Sequence, residues 1–386
     1  MNGMKVLISP LSWGFGHAGR MIPLAMELER RGCEVVFAAD APLTEMIVRE
    51  LPGIKTVEIP GLRIRYSRYL PQYVSIFLQL PVIVASAVRE HATLRRLAKE
   101  LDPMVIISDN RFGFCHKKIF SVYVTHQVRI AFPAFLAFLE PLAAWMHRMI
   151  ISRYDLCLVP DYRGSENLSG RLSHGGRLPA NVAFIGPLSR FGVAGTEPFP
   201  PCRMKSGPLS PCRTKSEPLS PCRTKSEPLS LSRAKSEPLQ PDTGAPPSSL
   251  AQPYACLILS GPEPQRSLLL RKVSESLREF PLAVLSATPL NTPLPSGQAI
   301  HLLTGAETGT MRQVITGASM VIARTGYTSV MELVSLGMGA VLIPTPGQTE
   351  QEYLGRHLDG RYGFITMNQN RLERLASVIL PEHKKE

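Results

Sequence analysis

The stretch "GFGHAG", residues 14–19, places Gly14, Gly16 and Gly19 in G-x-G-x-x-G spacing directly after the apolar run "MKVLIS". After a strand and ahead of a helix, that spacing is the pattern of a dinucleotide-binding loop. The following run "CEVVFAAD" ends on Asp40, the kind of strand-end acid such a site uses for a ribose. An NAD-dependent oxidoreductase is therefore one reading. His17 speaks against it, because a bulky titratable side chain stands where a pyrophosphate needs small residues. A histidine in that place suits a different chemistry: taking a proton from an attacking hydroxyl, or hydrogen-bonding a phosphate.

A second group of chemically useful residues lies in "ARTGYTSVMELVSLGMGAVLIPTPGQTEQEYLG", residues 323–355. Arg324 leaves a strand, Thr325 and Gly326 form a tight turn, and a helix starts near Tyr327 or Thr328. The unpaired N–H groups of that helix end suit a phosphate or diphosphate. Glu332 lies further along the helix, where a carboxylate accepts two hydrogen bonds from the adjacent hydroxyls of a ribose. The "PTPGQTEQEY" run reads as a loop whose Gln348, Thr349, Glu350 and Gln351 suit sugar hydroxyls. Upstream, "LSGPEPQR" sets Ser260, Gly261 and Arg266 after another strand, although Pro262 and Pro264 leave fewer backbone donors than a glycine-rich loop has.

The elements that must hold these residues alternate along the chain. "KVLIS", "EVVFAAD", "KTVEIP", "MVIISD", "SVYVTH" and "DLCLVPD" read as strands, with helical runs between several of them, including one from about residue 71 to 101. After residue 254, "ACLILSG", "LAVLSAT", "AIHLLTG", "MVIART" and "AVLIPTPG" repeat the alternation. The expectation is two α/β units with parallel sheets, residues 1–193 and 253–386. Asp109 and His126 then stand at the ends of neighbouring strands facing the same cleft as His17, placed to orient it, to bind an acceptor, or simply to pack. Between the units, four tandem ten-residue copies of the "PCRTKSEPLS" type make residues 194–252 read as a disordered linker.

Composition narrows the rest. The net charge of +12 implies an acidic partner, and without an aromatic-basic nucleic-acid motif an anionic membrane surface is expected rather than nucleic acid. Basic and apolar residues interleave from Arg63 to Lys99, as in a helix lying on anionic lipid or in a core helix with a basic edge. Seven cysteines without a C-x-x-C pair indicate neither a disulfide framework nor a zinc site. The apolar run of residues 130–151 contains Pro133, Glu140, Pro141, His147 and Arg148, so a buried or surface-lying helix is expected, not a span. With no secretory pattern at the start, the expected compartment is the cytoplasm.

The R-[ST]-G turn, the Glu some six residues on and the Gln-rich run resemble the donor site of glycosyltransferase family 28, which includes the N-acetylglucosaminyltransferase that makes lipid II. "WGFGHAGR", "SDNRFG", "THQ" and "IGPLSRF" are also similar to a bacterial family 28-like group that carries "WGLGHATR". The resemblance implies a GT-B fold: two Rossmann-like domains facing across a cleft, with a UDP-sugar as substrate and no metal or other cofactor. It implies transfer with inversion to a hydroxyl acceptor; the basic-apolar stretch adds the expectation of a lipid-linked or glycolipid acceptor, with the enzyme peripheral on the cytoplasmic face of the inner membrane. By position, Arg324, Thr325, Gly326 and Thr328 would meet the diphosphate, with Ser260, Gly261 and Arg266 helping. Glu332 would meet the ribose, and Gln348, Glu350 and Gln351 the donor sugar. His17 becomes base or phosphate contact, with Gly14, Gly16, Gly19, Asp109 and His126 on the acceptor side. A GT-B-like sugar-nucleotide or lipid-binding protein without turnover is the non-enzymatic alternative.

Overall fold

The computed structural model describes residues 3–62, 72–176, 178–192, 253–290, 293–294 and 298–376. The repeat segment expected as a linker, residues 194–252, lies outside them, as does the start of the basic-apolar stretch at residues 63–71.

In the first half, β1 (Lys5–Pro10), β2 (Glu34–Ala39), β3 (Lys55–Glu58), β4 (Val105–Asp109), β5 (Phe120–Val124), β6 (Leu156–Val159) and β7 (Val182–Phe184) form one sheet. All its pairings are parallel, in the order 3-2-1-4-5-6-7. Its helices are α1 (Phe15–Arg30), α2 (Ala41–Glu50), α3 (Gln72–Leu78), α4 (Leu80–Leu101), α5 (Glu140–Ile151) and the single turn α6 (Arg171–His174). In the second half, β8 (Ala255–Leu259), β9 (Leu282–Ser286), β10 (Ile300–Thr304), β11 (Met320–Ala323), β12 (Ala340–Leu342) and β13 (Phe364–Thr366) form a parallel sheet in the order 10-9-8-11-12-13. Helices α7 (Gln265–Ser276), α8 (Thr308–Thr316), α9 (Tyr327–Ser335) and α10 (Thr349–Leu358) accompany it. The molecule thus has the two parallel-sheet, Rossmann-like units that the alternation predicts.

The central strands are apolar on both faces because helices cover both: Val6, Leu7 and Ile8 of β1, and Ala255, Cys256 and Leu257 of β8, are completely buried. One core cluster draws on both halves, joining Ala131, Leu168, Leu172 and Phe191 to Cys256, Val330 and Leu342. The strand order reverses between β1 and β4 in one sheet and between β8 and β11 in the other. In open α/β sheets a crevice opens beyond the carboxyl ends of strands at such a point. The loops there carry residues 11–14 and 110–111 in the first unit, and residues 260–264 and 324–326 in the second.

Three elements differ from the sequence reading. The long helix expected at 71–101 is two helices, because Pro81 lacks an N–H and fits only the first turn of a new one. The run 134–151 starts as a 3-10 helix and becomes α5 at Glu140, with Pro141 in the first turn. It is long and apolar enough to cross a membrane by length and composition, yet it lies on the surface with only 11% of its residues buried. Finally, the "QTEQEY" run is no loop beyond Gln348: Thr349 opens α10. Glu350 and Glu352 favour a helix start there, and Glu352 and Gln351 accept the N–H groups of Gly347 and Thr345 at 2.8 and 2.9 Å.

Candidate functional site

His17 enters the cleft because the chain leaves β1, turns through residues 11–14 and starts α1 at Phe15. Asp109, the last residue of β4, pairs in register with Pro10 of β1, so its carboxylate emerges beside that turn. His17 Nδ1 lies 2.9 Å from Asp109 Oδ2. Arg20, three residues along α1 and therefore on the same face, sends Nε to Asp109 Oδ2 at 3.0 Å and Nη2 to Asp109 Oδ1. This fork is a bidentate, charge-assisted pair, the strongest hydrogen-bonding arrangement available to a carboxylate. Arg20 Nη1 also reaches His126 Nδ1 at 3.0 Å, and His126 Nε2 lies 2.8 Å from Glu350 Oε1. The His126 ring stacks on Tyr327, centroids 4.2 Å apart.

Three motifs of the sequence, carrying His17, Asp109 and His126, thus meet around one residue that sequence reasoning passed over. Arg20 closes the quoted "WGFGHAGR", and its i+3 spacing from His17 was the available signal. Burial disfavours charge on Asp109, but Arg20 and His17 outweigh it, and the carboxyl stays below its ordinary pKa. For His17, burial lowers the pKa; Asp109 opposes the shift and Arg20 reinforces it, leaving the imidazole below its ordinary value. Burial likewise disfavours charge on Glu350, and His126 reverses that, so Glu350 is held ionised.

On the opposite wall, α9 begins at Tyr327 with Gly326 as its N-cap, and its first N–H groups have no intrahelical acceptor. The hydroxyl of Thr325 is buried without a partner among the described residues. Gly326 has φ −78°, open to any residue, so the tight turn expected to need glycine is not what keeps it. Gly261 does have a glycine-favouring φ of +97°. Thr328 Oγ1 donates to Gly16 O at 3.2 Å, and Glu332 Oε1 accepts from Arg190 Nε at 2.8 Å.

Several expected donor contacts have other partners. Arg324 is 1% exposed and spends its guanidinium on the carbonyls of Gln265, Ile343 and Pro344, at 2.9, 3.3 and 3.4 Å. It ties the start of α7 to the segment that follows β12 rather than pointing at an anion, and burial lowers its pKa to about 10. Arg266 is taken by Glu263, Thr288 and the carbonyl of Pro289, and Gln351 by the N–H of Thr345. Long polar side chains on strand ends and first helical turns meet nearby orphan backbone groups before any ligand, which sequence spacing does not display. Ser260, Gly261, Gln348 and Thr349 lie at the same edge, Thr349 Oγ1 donating across to Ala131 O at 2.7 Å. Asp40 N-caps α2 by position, and its carboxyl lies with Ser12 against Gly61.

The contacts between the two walls include Gly16 with Thr328, Arg190 with Glu332, and His126 with Glu350. Gly16 is required by this approach, since a Cβ there would lie 2.9 Å from Thr328 Oγ1. At Gly14 a Cβ would meet nothing within 4 Å, and its φ of 170° is ordinary extended backbone. Among the described residues no group of three His, Cys, Asp or Glu is placed to hold a metal ion.

Comparison with known proteins agrees with this architecture. Residues 308–386 match the sequence model of the Glycosyltransferase family 28 C-terminal domain. The chain is similar in structure to the spinosyn rhamnosyltransferase SpnG complexed with thymidine diphosphate, with a TM-score of 0.58 and 15% identity over 98% of this chain and 92% of that one. It is similar to the calicheamicin glycosyltransferase CalG4, with a TM-score of 0.55 and 15% identity over 98% and 88%. It is also similar to S. aureus MnaA in a co-structure with UDP, with a TM-score of 0.57 and 11% identity over 99% and 89%. A search of curated proteins finds no match. The fold is GT-B.

Proposed function

We propose that this chain is a glycosyltransferase that moves a sugar, a hexose by the family 28 pattern, from a nucleotide donor to a hydroxyl acceptor. The observation that carries the reading is the contact of the His17 turn with the amino end of α9, made at Gly16 and Thr328. It sets the turn that carries His17, a proton acceptor, against the amino end of α9, whose free N–H groups suit an anion. Nε2 of His17 takes the proton of the acceptor hydroxyl as its oxygen forms a bond to the anomeric carbon. The bond from that carbon to the diphosphate breaks, and the leaving anion is stabilised by the free N–H groups of α9. Attack from the His17 side with departure toward α9 inverts the anomeric carbon. Glu332 is the group for the ribose and Glu350 for the sugar hydroxyls. UDP is the nucleotide favoured by the family 28 resemblance, which the match over residues 308–386 supports, as do the UDP and thymidine diphosphate held by similar structures.

The acceptor is proposed to be lipid-linked, with the enzyme seated on the cytoplasmic face of the inner membrane. What supports this is the exposed apolar row Phe135, Phe138, Leu142, Trp145, Met146 and Met149. A second exposed set, Phe77, Leu78, Leu80, Val82, Val84 and Val88, runs along α3 and α4. The two flank one loop that follows Asp109: Phe112 packs edge-on against His147 of α5, and Gly113 lies against Ala87 and Glu90 of α4. Arg89, Arg95, Arg96 and Lys99 are exposed on α4, as suits an anionic interface.

The deciding experiment is thermal stabilisation by UDP, GDP, TDP, CMP and NAD, repeated with Glu332→Gln, since a ligand specific to the native state raises Tm. The reading expects a UDP shift that the variant loses. A shift with NAD alone, indifferent to Glu332, overturns it in favour of the dinucleotide reading.

A further inference from the structure

Arg20 is the hub of the cluster, and arginine brings a chemical restriction: it donates hydrogen bonds only and does not lose its proton. Its Nη1 lies 3.0 Å from His126 Nδ1, and that nitrogen has no other hydrogen-bond partner among the described residues. His126 Nδ1 must therefore be the unprotonated nitrogen, its lone pair directed at the guanidinium. The ring proton then sits on Nε2, where it is donated to Glu350 Oε1 at 2.8 Å.

His17 sits in the opposite situation. Its Nδ1 has two neighbours at 2.9 Å, Arg20 Nη2 and Asp109 Oδ2. Nη2 carries two N–H groups, of which one goes to Asp109 Oδ1, and Asp109 is held ionised. An ionised carboxylate is the stronger attraction for a ring proton, so Nδ1 of His17 carries the proton and Nε2 keeps its lone pair. The ring then has the tautomer a general base requires.

We propose that Arg20 is a positioning residue that holds the two histidines in opposite tautomers, His17 protonated on Nδ1 and His126 protonated on Nε2. His17 is thereby a base toward the cleft, and His126 is a fixed donor that reaches Glu350 on the other wall. The charged and titratable groups facing His17 are Arg20 on its own helix, Asp109 from β4, His126 from the loop after β5 and Glu350 from α10. Burial is the main cause of the lowered His17 pKa; Asp109 opposes it, and Arg20 and His126 reinforce it. The catalytic meaning rests on the transferase reading; the tautomers do not.

The test is nitrogen NMR of the full chain labelled with 15N-histidine, using two-bond correlations to identify each tautomer, with His17→Gln and His126→Gln for assignment. At pH 7.5 the expected result is Nδ1–H for His17 and Nε2–H for His126. In Arg20→Gln, His126 should sample both tautomers and the His17 midpoint should rise by about one pH unit. Arg20→Lys, which keeps the charge and loses the fork, should restore the midpoint but not the His126 tautomer. His126 found as Nδ1–H or doubly protonated in the wild-type chain overturns the proposal, whether or not the variants fold. Unchanged tautomers and titration in a folded Arg20→Gln protein also overturn it. No substrate is used, so failure to bind any nucleotide would sink the transferase reading and leave this one standing.

Discussion

Arg190 Nε donates to Glu332 Oε1 at 2.8 Å, with both side chains largely withdrawn from water and Glu50 Oε1 a further 3.8 Å from Arg190 Nη1. The carboxylate proposed for the donor ribose is therefore already oriented by a group from the opposite wall. Arg190 comes from "IGPLSRF", a motif whose place in the fold was not apparent until the crossover segment was seen against α9.

Removing that arginine leaves a buried carboxylate without its counter-charge. Arg190→Met should destabilise the protein by about 1–3 kcal/mol. It should also weaken nucleotide binding, because a carboxylate free to turn loses its orientation toward the ribose. Urea midpoints and isothermal titration with UDP measure the two effects separately. Tighter nucleotide binding in this variant would mean that Arg190 competes with the ribose instead of presenting Glu332 to it.

The glycines of the first turn should not be equivalent. Gly14→Ala should leave Tm and activity unchanged, since its Cβ meets only space. Gly16→Ala presses on Thr328 and should lower kcat/KM by roughly tenfold through misplacement of reacting groups. Equal effects at the two positions would refute the role given to the Gly16–Thr328 contact.

Arg324 should behave as a structural residue. Arg324→Met strands three carbonyl acceptors and should cost about 2–4 kcal/mol, while the nucleotide-induced rise in Tm measured against its own baseline persists. Loss of the nucleotide shift with unchanged stability would return Arg324 to the diphosphate.

Stability should depend on pH through the buried imidazoles. His17 and His147 are lowered from the ordinary value, chiefly by burial. The unfolded chain therefore binds protons first as pH falls below about 6.5, and the native state loses stability from there down to the folded pKa values. The urea midpoint should fall between pH 7 and 5, with a smaller fall in His17→Asn. A flat profile would contradict the lowered values.

Trp145 is half exposed in the apolar row, and Trp13 is the chain's other tryptophan. In Trp13→Phe protein, vesicles containing anionic lipid should shift Trp145 emission to the blue, neutral vesicles less so, and Phe138→Glu should abolish the shift without lowering Tm. Self-association at the same concentrations, with no response to lipid, would assign the row to contact between protein copies.

Much of the fold was legible because parallel strands buried on both faces write continuous apolar runs, as in "KVLIS" and "ACLIL", and helices separate them. The site was legible where a motif carries its own geometry: His17, Asp109 and His126 do converge. It was not legible where a long side chain chooses among partners distant in sequence. Arg324 and Arg266 satisfy backbone and side-chain acceptors of their own half, and Arg20 works inward from a helix whose spacing says only that it shares a face with His17. The end of the polar run was misread for a related reason, since Glu350 and Glu352 look like ligand groups and also favour the start of α10.

Phe191 and Tyr254 stand on either side of the repeats and are buried in one and the same core cluster. The two ends of the insertion are thus anchored by packing that owes nothing to what lies between. The two halves are therefore held to each other by packing on either side of the repeats, so that one shared core, and not the covalent connection alone, keeps them together.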